Sequence, residues 1–267
     1  MSFLDALSPR YRLILCDIWG CIHDGVSLYP GAAGRLRQWK QQGRTVVLIT
    51  NAPRTTEAVE QQLMRLGLPR ESWDFVATSG EAGIAALKDI GRPVGFIGTP
   101  ADRAILESRN IEICSDKGFD HLACTGLDGH RRDPADYEPQ LRTLAGRGVV
   151  VHCLNPDRVV IQGGVPLACA GALADIYESF GGDVRWYGKP HEAIYRHALR
   201  LGGDPSPDEV LAIGDGLQTD VLGAARMGFD CAFVTGGIHS GEPFPAEFGA
   251  ENGLGEWHPV AVMDSLD

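Results

Sequence analysis

The sequence predicts an α/β protein built on a doubly wound parallel sheet. Short apolar runs alternate along the chain with amphipathic segments, as is typical of strand–helix–strand units with right-handed crossovers. The runs contain few polar residues, which indicates strands covered on both faces. Several runs end on a polar side chain, at the edge where open α/β sheets place their chemistry.

The first third of the chain shows this alternation clearly. A buried strand is predicted at 12–16 and ends on Asp17. Helices are expected to end at Gly43 and Gly67, because glycine commonly terminates a helix. The elements predicted here are strands at 45–49 and 75–78 and helices at 32–42, 55–66 and 79–87.

The pattern restarts at Arg92 and again after Gly181-Gly182, which forms the clearest linker candidate. Between these two points we predict strands at 93–97, 121–125 and 149–154 and helices at 101–108, 137–145 and 170–180. After the linker we predict strands at 184–187, 210–213 and 231–234, an edge strand at 260–263, and helices at 191–201 and 221–227.

Composition excludes several classes of protein. The 267 residues suit one large domain or two smaller ones, and the net charge of −11 argues against a nucleic-acid surface. The seven cysteines include no CxxC pair, so we expect reduced core thiols in the cytoplasm and no zinc site. The N-terminal stretch is not a signal peptide, and no run of about 18 apolar residues predicts a membrane span. The oligomeric state stays open, a homo-oligomer included.

Polar groups at or beyond four strand ends carry the candidate chemistry. Because carboxyl ends of parallel strands share one edge, these groups can converge on a phosphate and a divalent cation. Backbone N–H groups near Gly20 and Asn51 can assist phosphate binding. Taken singly, an aspartate can serve a turn, a threonine a helix cap and a lysine the solvated surface. The groups are Asp17, Thr50, Lys189, Asp215 and Asp220.

The order of these groups resembles the haloacid dehalogenase (HAD) superfamily. Four short stretches are similar to its motifs I to IV, namely Asp17-x-x-Gly20, Leu48-Ile49-Thr50-Asn51, Gly188-Lys189-Pro190 and Gly214-Asp215 with Asp220. The α/β stretch between the second and third motifs, with Asn155-Pro156-Asp157, resembles class IIA (NagD-like) members, which carry a C2 cap. The resemblance implies a Rossmann-like HAD core at 1–85 and 183–267 and an inserted α/β cap domain at 86–182.

The resemblance also implies a Mg²⁺-dependent phosphatase that acts on a small phosphorylated metabolite through an aspartyl-phosphate. Asp17 would be the nucleophile and a metal ligand, and the carbonyl of Trp19 would be a second ligand. Asp215 would be the third, and Asp220 would support the metal or Lys189. The predicted phosphate-binding residues are Thr50, Lys189, Asn51, Gly20 and Asn155. The cap would close over the site and contact the leaving group.

Trp19 departs from the family pattern, which usually has a second aspartate two residues after the nucleophile. Tryptophan cannot transfer a proton, and general acid–base assistance is worth about 10²–10⁴-fold. The sequence therefore predicts slow turnover or a bias towards good leaving groups, with His23 as a candidate substitute acid or base. Two alternatives are a phosphate-binding or regulatory protein with little turnover and a dehalogenase or phosphotransferase of the same fold. Asp215 and Asp220 argue against the dehalogenase, which needs no metal ligands.

Overall fold

Strands and helices alternate along the chain, as the sequence predicts. The structure, a computed structural model, describes residues 3–114, 118–162, 165–237 and 243–267. The strands are β1 (Leu13–Asp17), β2 (Thr45–Thr50), β3 (Phe75–Thr78), β4 (Gly95–Ile97), β5 (His121–Cys124), β6 (Val150–Cys153), β7 (Val159–Gln162), β8 (Val165–Ala168), β9 (Val184–Trp186), β10 (Val210–Gly214), β11 (Asp230–Val234) and β12 (Ala261–Met263).

Eight of the nine helices in the described residues follow the predicted pattern, with ends that differ by a few residues at most, whereas the short last helix was not predicted. They are α1 (Ala32–Gln41), α2 (Thr56–Arg65), α3 (Ser79–Ile90), α4 (Pro100–Ser108), α5 (Glu138–Gly146), α6 (Ala170–Ser179), α7 (Glu192–Leu201), α8 (Leu222–Met227) and α9 (Phe248–Glu251). Shorter helical turns lie at Phe3–Ala6, Arg70–Ser72, Pro134–Tyr137, Pro207–Glu209 and Leu217–Val221.

The chain divides into two compact units. Unit 1 comprises Met1–Thr50, Thr56–Ala77 and Lys189–Asp267, and unit 2 comprises Asn51–Thr55 and Thr78–Gly188. The assignment of 1–85 and 183–267 to a core domain and of 86–182 to a cap domain stays a prediction about which segments act as domains.

Unit 1 contains a six-stranded sheet in the order β12-β11-β10-β1-β2-β3. The pairs β1–β2, β1–β10, β10–β11 and β11–β12 are parallel, which confirms the predicted parallel sheet. β1 lies inside this sheet between β10 and β2, and every residue of β1 is buried. Burial on both faces explains why β1 reads as a continuous apolar run without alternation.

The core of unit 1 packs around these central strands. Leu13 and Leu15 of β1 join one buried cluster with Val47, Ala212 and Phe233 from three other strands of the sheet. Burying side chains of this kind contributes about 1.5–3 kcal/mol each relative to exposure. The packed strands therefore hold the polar residues at their carboxyl ends in fixed positions.

Unit 2 has a parallel sheet of its own in the order β4-β5-β6-β9. Its core includes Leu122, Val151, Leu173 and Tyr177. The strands β7 and β8 form a separate antiparallel hairpin that we did not predict. Two short β-branched runs around a turn are the signal for such a hairpin. The sequence also predicts a loop at Gly163-Gly164, and these two residues lie outside the described residues.

Most of the cysteines pack as buried thiols, as the sequence predicts. All seven cysteines are free thiols, and all but Cys114 are buried. In the part of the chain that the structure describes, no helix combines the length and the apolar character that crossing a bilayer requires.

Candidate active site

Three predicted site residues lie at the carboxyl edge of the unit 1 sheet. Asp17 ends β1, Thr50 ends β2, and Asp215 follows the last residue of β10. In the parallel register Asp17 pairs with Ile49, which places Thr50 one residue further along the neighbouring strand. All three side chains are buried. The fold therefore brings these residues to one edge, as parallel pairing requires.

Lys189 completes a buried ion-pair network at this edge. Its Nζ lies 2.5 Å from Oδ1 of Asp17 and 2.7 Å from Oδ1 of Asp220. All three side chains are at most 8% exposed, so water does not screen these charges effectively. The alternative of a solvated surface lysine does not describe Lys189.

Asp220 lies on the helical turn Leu217–Val221, and its second oxygen is bound to that turn. Its Oδ2 accepts hydrogen bonds from the backbone N–H of Gly216 at 3.2 Å and the hydroxyl of Thr219 at 3.1 Å. One oxygen of Asp220 thus binds Lys189, while the other fixes the carboxylate to the backbone. This arrangement favours the expectation that Asp220 supports Lys189.

Two glycines surround the carboxylate of Asp215. A Cβ atom on Gly20 would lie 1.9 Å from Oδ2 of Asp215, and one on Gly237 would lie 2.1 Å from the same oxygen. Gly20 also has φ +81°, a conformation that favours glycine. Any other residue at either position would displace the carboxylate. We did not predict Gly237, although it follows a strand end.

Among the described residues at this edge of the sheet, carboxylates outnumber ammonium groups. Asp17, Asp215 and Asp220 contribute three carboxylates, and Lys189 contributes one ammonium group. Burial, followed by repulsion from Asp220, raises the pKa of Asp17 well above its ordinary value, and Lys189 opposes this rise. Burial lowers the pKa of Lys189, but Asp17 and Asp220 outweigh burial and hold that pKa well above its ordinary value. Lys189 is therefore a cation in an environment with excess negative charge.

The sulfur atom of Cys21 lies close to the carboxylates of Asp17 and Asp215. Its Sγ, one oxygen of Asp17 and one oxygen of Asp215 all lie within 4.8 Å of one another. The sequence predicts Cys21 as a core thiol, and its position beside these carboxylates was not predicted. Its location in the same short loop, four residues after Asp17, was the available signal.

The loop after Asp17 places Trp19 and His23 in different environments. Trp19 is 44% exposed, whereas His23 is 1% exposed. Their ring centroids lie 5.0 Å apart in an edge-to-face arrangement. A Cβ on Gly25, where φ is +93°, would lie 2.4 Å from Cη2 of Trp19. Gly25 therefore permits the close approach of the indole.

His23 forms hydrogen bonds that hold its own loop in place. Its Nδ1 accepts a hydrogen bond from the N–H of Gly25 at 2.9 Å, and its carbonyl accepts one from the N–H of Gly20 at 3.1 Å. Burial lowers the pKa of His23, and Asp24 opposes this shift. The imidazole is therefore mainly neutral near pH 7. The acid–base role of His23 stays a prediction, and this geometry favours a role in fixing the loop.

Asn51 and Asn155 belong to unit 2, where both meet Asp157. The Nδ2 of Asn51 donates to Oδ1 of Asp157 at 2.8 Å. The Oδ1 of Asn155 accepts from the backbone N–H of Asp157 at 3.2 Å, which is the bond of a turn built on Asn-Pro-Asp. Phosphate binding by these two residues stays a prediction.

Comparisons with known proteins give the family to which this chain is similar. A family model described as haloacid dehalogenase-like hydrolase matches residues 14–112, and one described as HAD-hydrolase-like matches residues 186–267. A solved hydrolase of the haloacid dehalogenase-like family from Brucella suis 1330 is 34% identical, with a TM-score of 0.84 over 99% of this chain and 98% of that one.

Two further proteins extend the comparison. NagD from E. coli K-12 has a TM-score of 0.71 at 23% identity, over 96% of both chains, which confirms the NagD-like fold. A Staphylococcus aureus (strain USA300) protein named acid sugar phosphatase is 26% identical over 86% of this chain and 88% of its own length. With 34% identity to the Brucella hydrolase along nearly the whole chain, and with the core motifs gathered at one sheet edge, this protein belongs to the haloacid dehalogenase (HAD) superfamily of hydrolases.

Proposed function

We propose that this protein is a Mg²⁺-dependent phosphatase, which hydrolyses a phosphate monoester of a small metabolite through an aspartyl-phosphate. The observation that carries the proposal is the buried contact of 2.5 Å between Nζ of Lys189 and Oδ1 of Asp17, with Asp215 and Asp220 beside them. The name of the staphylococcal relative, acid sugar phosphatase, supports the same reaction.

The residues of the site fit a divalent cation. Two buried carboxylates, from Asp17 and Asp215, place oxygens within 4.8 Å of each other, and oxygen is the ligand that Mg²⁺ prefers. Asp17, Asp215 and the backbone carbonyl of Trp19 would hold the ion. We assign Asp220 to the positioning of Lys189, because its carboxylate is shared between that ammonium and its own turn.

Asp17 would act as the nucleophile. One of its oxygens forms a bond to phosphorus while the ester P–O bond breaks, and the leaving group takes a proton from water. Water then attacks phosphorus, the aspartyl–phosphate bond breaks, a proton of that water passes to the solvent, and inorganic phosphate leaves with Asp17 regenerated. A divalent cation, when bound, would partly neutralise the charge of the phosphate. Lys189 and Thr50 bind phosphate oxygens and stabilise the charge that develops.

Trp19 limits which esters react well. No carboxylic acid stands at its position to protonate the leaving group, and His23 is buried with Nδ1 already accepting a hydrogen bond. Aryl and acyl phosphates need little protonation as they leave, so they should react faster than alkyl phosphates. The enzyme is therefore biased to good leaving groups.

Trp19 also favours a second candidate function, a phosphate-binding or regulatory HAD protein with little turnover. In that case the aspartyl-phosphate forms and persists, because Trp19 cannot activate the water that would hydrolyse it. Release of phosphate in many turnovers distinguishes the phosphatase from this alternative. We further propose a cytoplasmic location, since free buried thiols are typical of proteins in a reducing compartment.

The test is phosphate release from p-nitrophenyl phosphate, a sugar phosphate and a simple alkyl phosphate, with Mg²⁺ and with a chelator. We expect Mg²⁺-dependent release from wild type and none from Asp17→Asn. Asp24→Asn is the matched control, because Asp24 lies in the same loop, is exposed and accepts hydrogen bonds from the backbone N–H groups of Val26 and Ser27 in its own turn. The absence of both phosphate release and an acid-trapped phosphoenzyme across the panel contradicts the proposal.

A further inference from the structure

Cys21 places a sulfur atom beside the two carboxylates proposed to hold the cation. Its Sγ lies within 4.8 Å of a carboxylate oxygen of Asp17 and of one of Asp215, and all three residues are buried. Among the residues that the structure describes, this is the one group of three or more histidine, cysteine or acidic side chains whose ligand atoms converge so closely.

The separations suit a single ion. Zinc binds thiolate at about 2.3 Å and carboxylate oxygen at about 2.0–2.2 Å, so two such bonds span at most about 4.5 Å. The three ligand atoms, within 4.8 Å of one another, need only small shifts to contact one ion.

The loop holds Cys21 in a fixed position. The N–H groups of Ile22 and His23 both donate to the carbonyl of Ile18, at 2.9 and 3.3 Å, and the N–H of Gly20 donates to the carbonyl of His23 at 3.1 Å. These bonds close the chain on itself on both sides of Cys21. A preorganised ligand binds a metal more tightly than a mobile one.

Sulfur changes the preference of the site. Carboxylate oxygens suit Mg²⁺, whereas a thiolate selects softer ions such as Zn²⁺ and Cd²⁺. We propose that Cys21 is a third side-chain ligand at this site and makes it bind Zn²⁺ or Cd²⁺ more tightly than Mg²⁺, so that these ions displace Mg²⁺. The displacement of Mg²⁺ rests on the proposed function, whereas binding of the soft ion through Cys21 does not.

Binding releases a proton. The S–H bond of Cys21 breaks as the bond from Sγ to the metal forms, and the proton passes to the buffer. No redox change accompanies this exchange. Titration of Cd²⁺ into metal-free protein in a weak buffer should therefore acidify the solution, and it should produce the ultraviolet charge-transfer band of a thiolate bound to Cd²⁺.

The test is a titration of Cd²⁺ into the full chain after a chelator has removed bound metal. Ultraviolet absorption and calorimetry monitor the titration. In Cys21→Ser we expect the thiolate band to disappear and Cd²⁺ affinity to fall at least about tenfold, as for the loss of other metal-site groups. Cys16→Ser is the matched control, because Cys16 is an equally buried thiol in β1 that lies outside the group of converging ligand atoms, and it should keep the band.

A second variant keeps the proposal testable if Cys21→Ser does not fold. Asp215→Asn retains every thiol and removes one oxygen ligand, so its Cd²⁺ affinity should also fall at least about tenfold. Circular dichroism confirms that each variant is folded. Excess Mg²⁺ should weaken the apparent affinity of wild type for Cd²⁺, since both ions share Asp17 and Asp215.

The outcomes separate the two proposals. A thiolate band that survives in folded Cys21→Ser, unchanged Cd²⁺ affinity in Asp215→Asn, or a lack of competition by Mg²⁺ overturns the inference even when the enzyme is an active phosphatase. A Cys21-dependent band in a protein that hydrolyses no phosphate ester supports the cation site and contradicts the phosphatase alone.

Discussion

The Nζ of Lys189 lies 2.7 Å from Oδ1 of Asp220, and neither side chain is more than 5% exposed. This pair belongs to a set in which one ammonium faces Asp17 and Asp220, with Asp215 close to Asp17. Breaking a buried pair by removing one partner leaves an uncompensated charge, which costs about 3–5 kcal/mol. The two partners are not equivalent here, because removal of Lys189 takes away the cation that contacts both Asp17 and Asp220, whereas removal of Asp220 leaves Lys189 in contact with Asp17.

Lys189→Met should destabilise metal-free protein by about 3–5 kcal/mol near pH 7. It should also lower kcat on the order of 10²-fold or more, since a donor to the developing phosphate charge is lost. Asp220→Asn should cost less stability, because Lys189 keeps its contact with Asp17. Urea unfolding measures the free energy of unfolding of both variants. Equal destabilisation by the two substitutions contradicts the role of Lys189 as the balancing cation.

Trp19→Asp should raise the kcat for alkyl phosphates by about 10²-fold and change aryl phosphates much less. The carboxyl group supplies the proton that an alkoxide leaving group needs, and such assistance is worth about 10²–10⁴-fold. Trp19→Phe is the control, because it removes the indole without adding an acid. Steady-state kinetics with alkyl and aryl phosphates measures kcat for each variant. A similar rise in Trp19→Phe would show that bulk, not the missing acid, limits turnover.

His23→Ala should reduce stability by about 1–3 kcal/mol, because the N–H of Gly25 loses its acceptor in a half-buried loop. The acid and alkaline limbs of the kcat/KM profile should stay at the same pH, because a residue that only fixes the loop does not titrate in the reaction. Thermal unfolding and a pH–rate profile measure the two effects. Loss of one limb, with stability unchanged, would instead support His23 as the acid or base.

Much of this site could be predicted from the sequence, for a simple physical reason. Asp17 and Thr50 end buried parallel strands and Asp215 follows one, and parallel pairing sends all such ends to one edge. The position of each residue therefore follows from the strand that precedes it. Lys189 was predicted as another of these strand ends, but the strand it follows, β9, belongs to the separate sheet of unit 2, so parallel pairing does not explain its contact with Asp17.

Other features depend on local geometry that a residue pattern does not encode. Cys21 lies beside the carboxylates because Gly20 adopts φ +81° and the loop closes through bonds to Ile18. His23 is buried by that same closure, although a histidine in a loop is usually exposed. The hairpin of β7 and β8 keeps Val159 and Val165 exposed, so its apolar residues indicate no core.

Acidification should destabilise unit 2 through His152. Its Nε2 lies 3.0 Å from Nδ1 of His121, and its Nδ1 lies 2.7 Å from the hydroxyl of Tyr187. Burial first, then the charges of His121 and Arg185, lower the pKa of His152 from 6.5 to about 4, and Asp183 opposes them. The unfolded chain therefore takes up a proton at a higher pH than the folded unit does.

The stabilisation is present above pH 6.5 and is lost as the pH falls through about 4. Over that range the shift corresponds to about 3 kcal/mol. Hydrogen exchange of the amides of β5 and β6 between pH 7 and 4 measures the loss. His152→Leu should remove most of this pH dependence, whereas His130→Gln, at an exposed histidine of unit 2, should retain it. The same pH dependence in His152→Leu and wild type would assign the acid sensitivity to other groups.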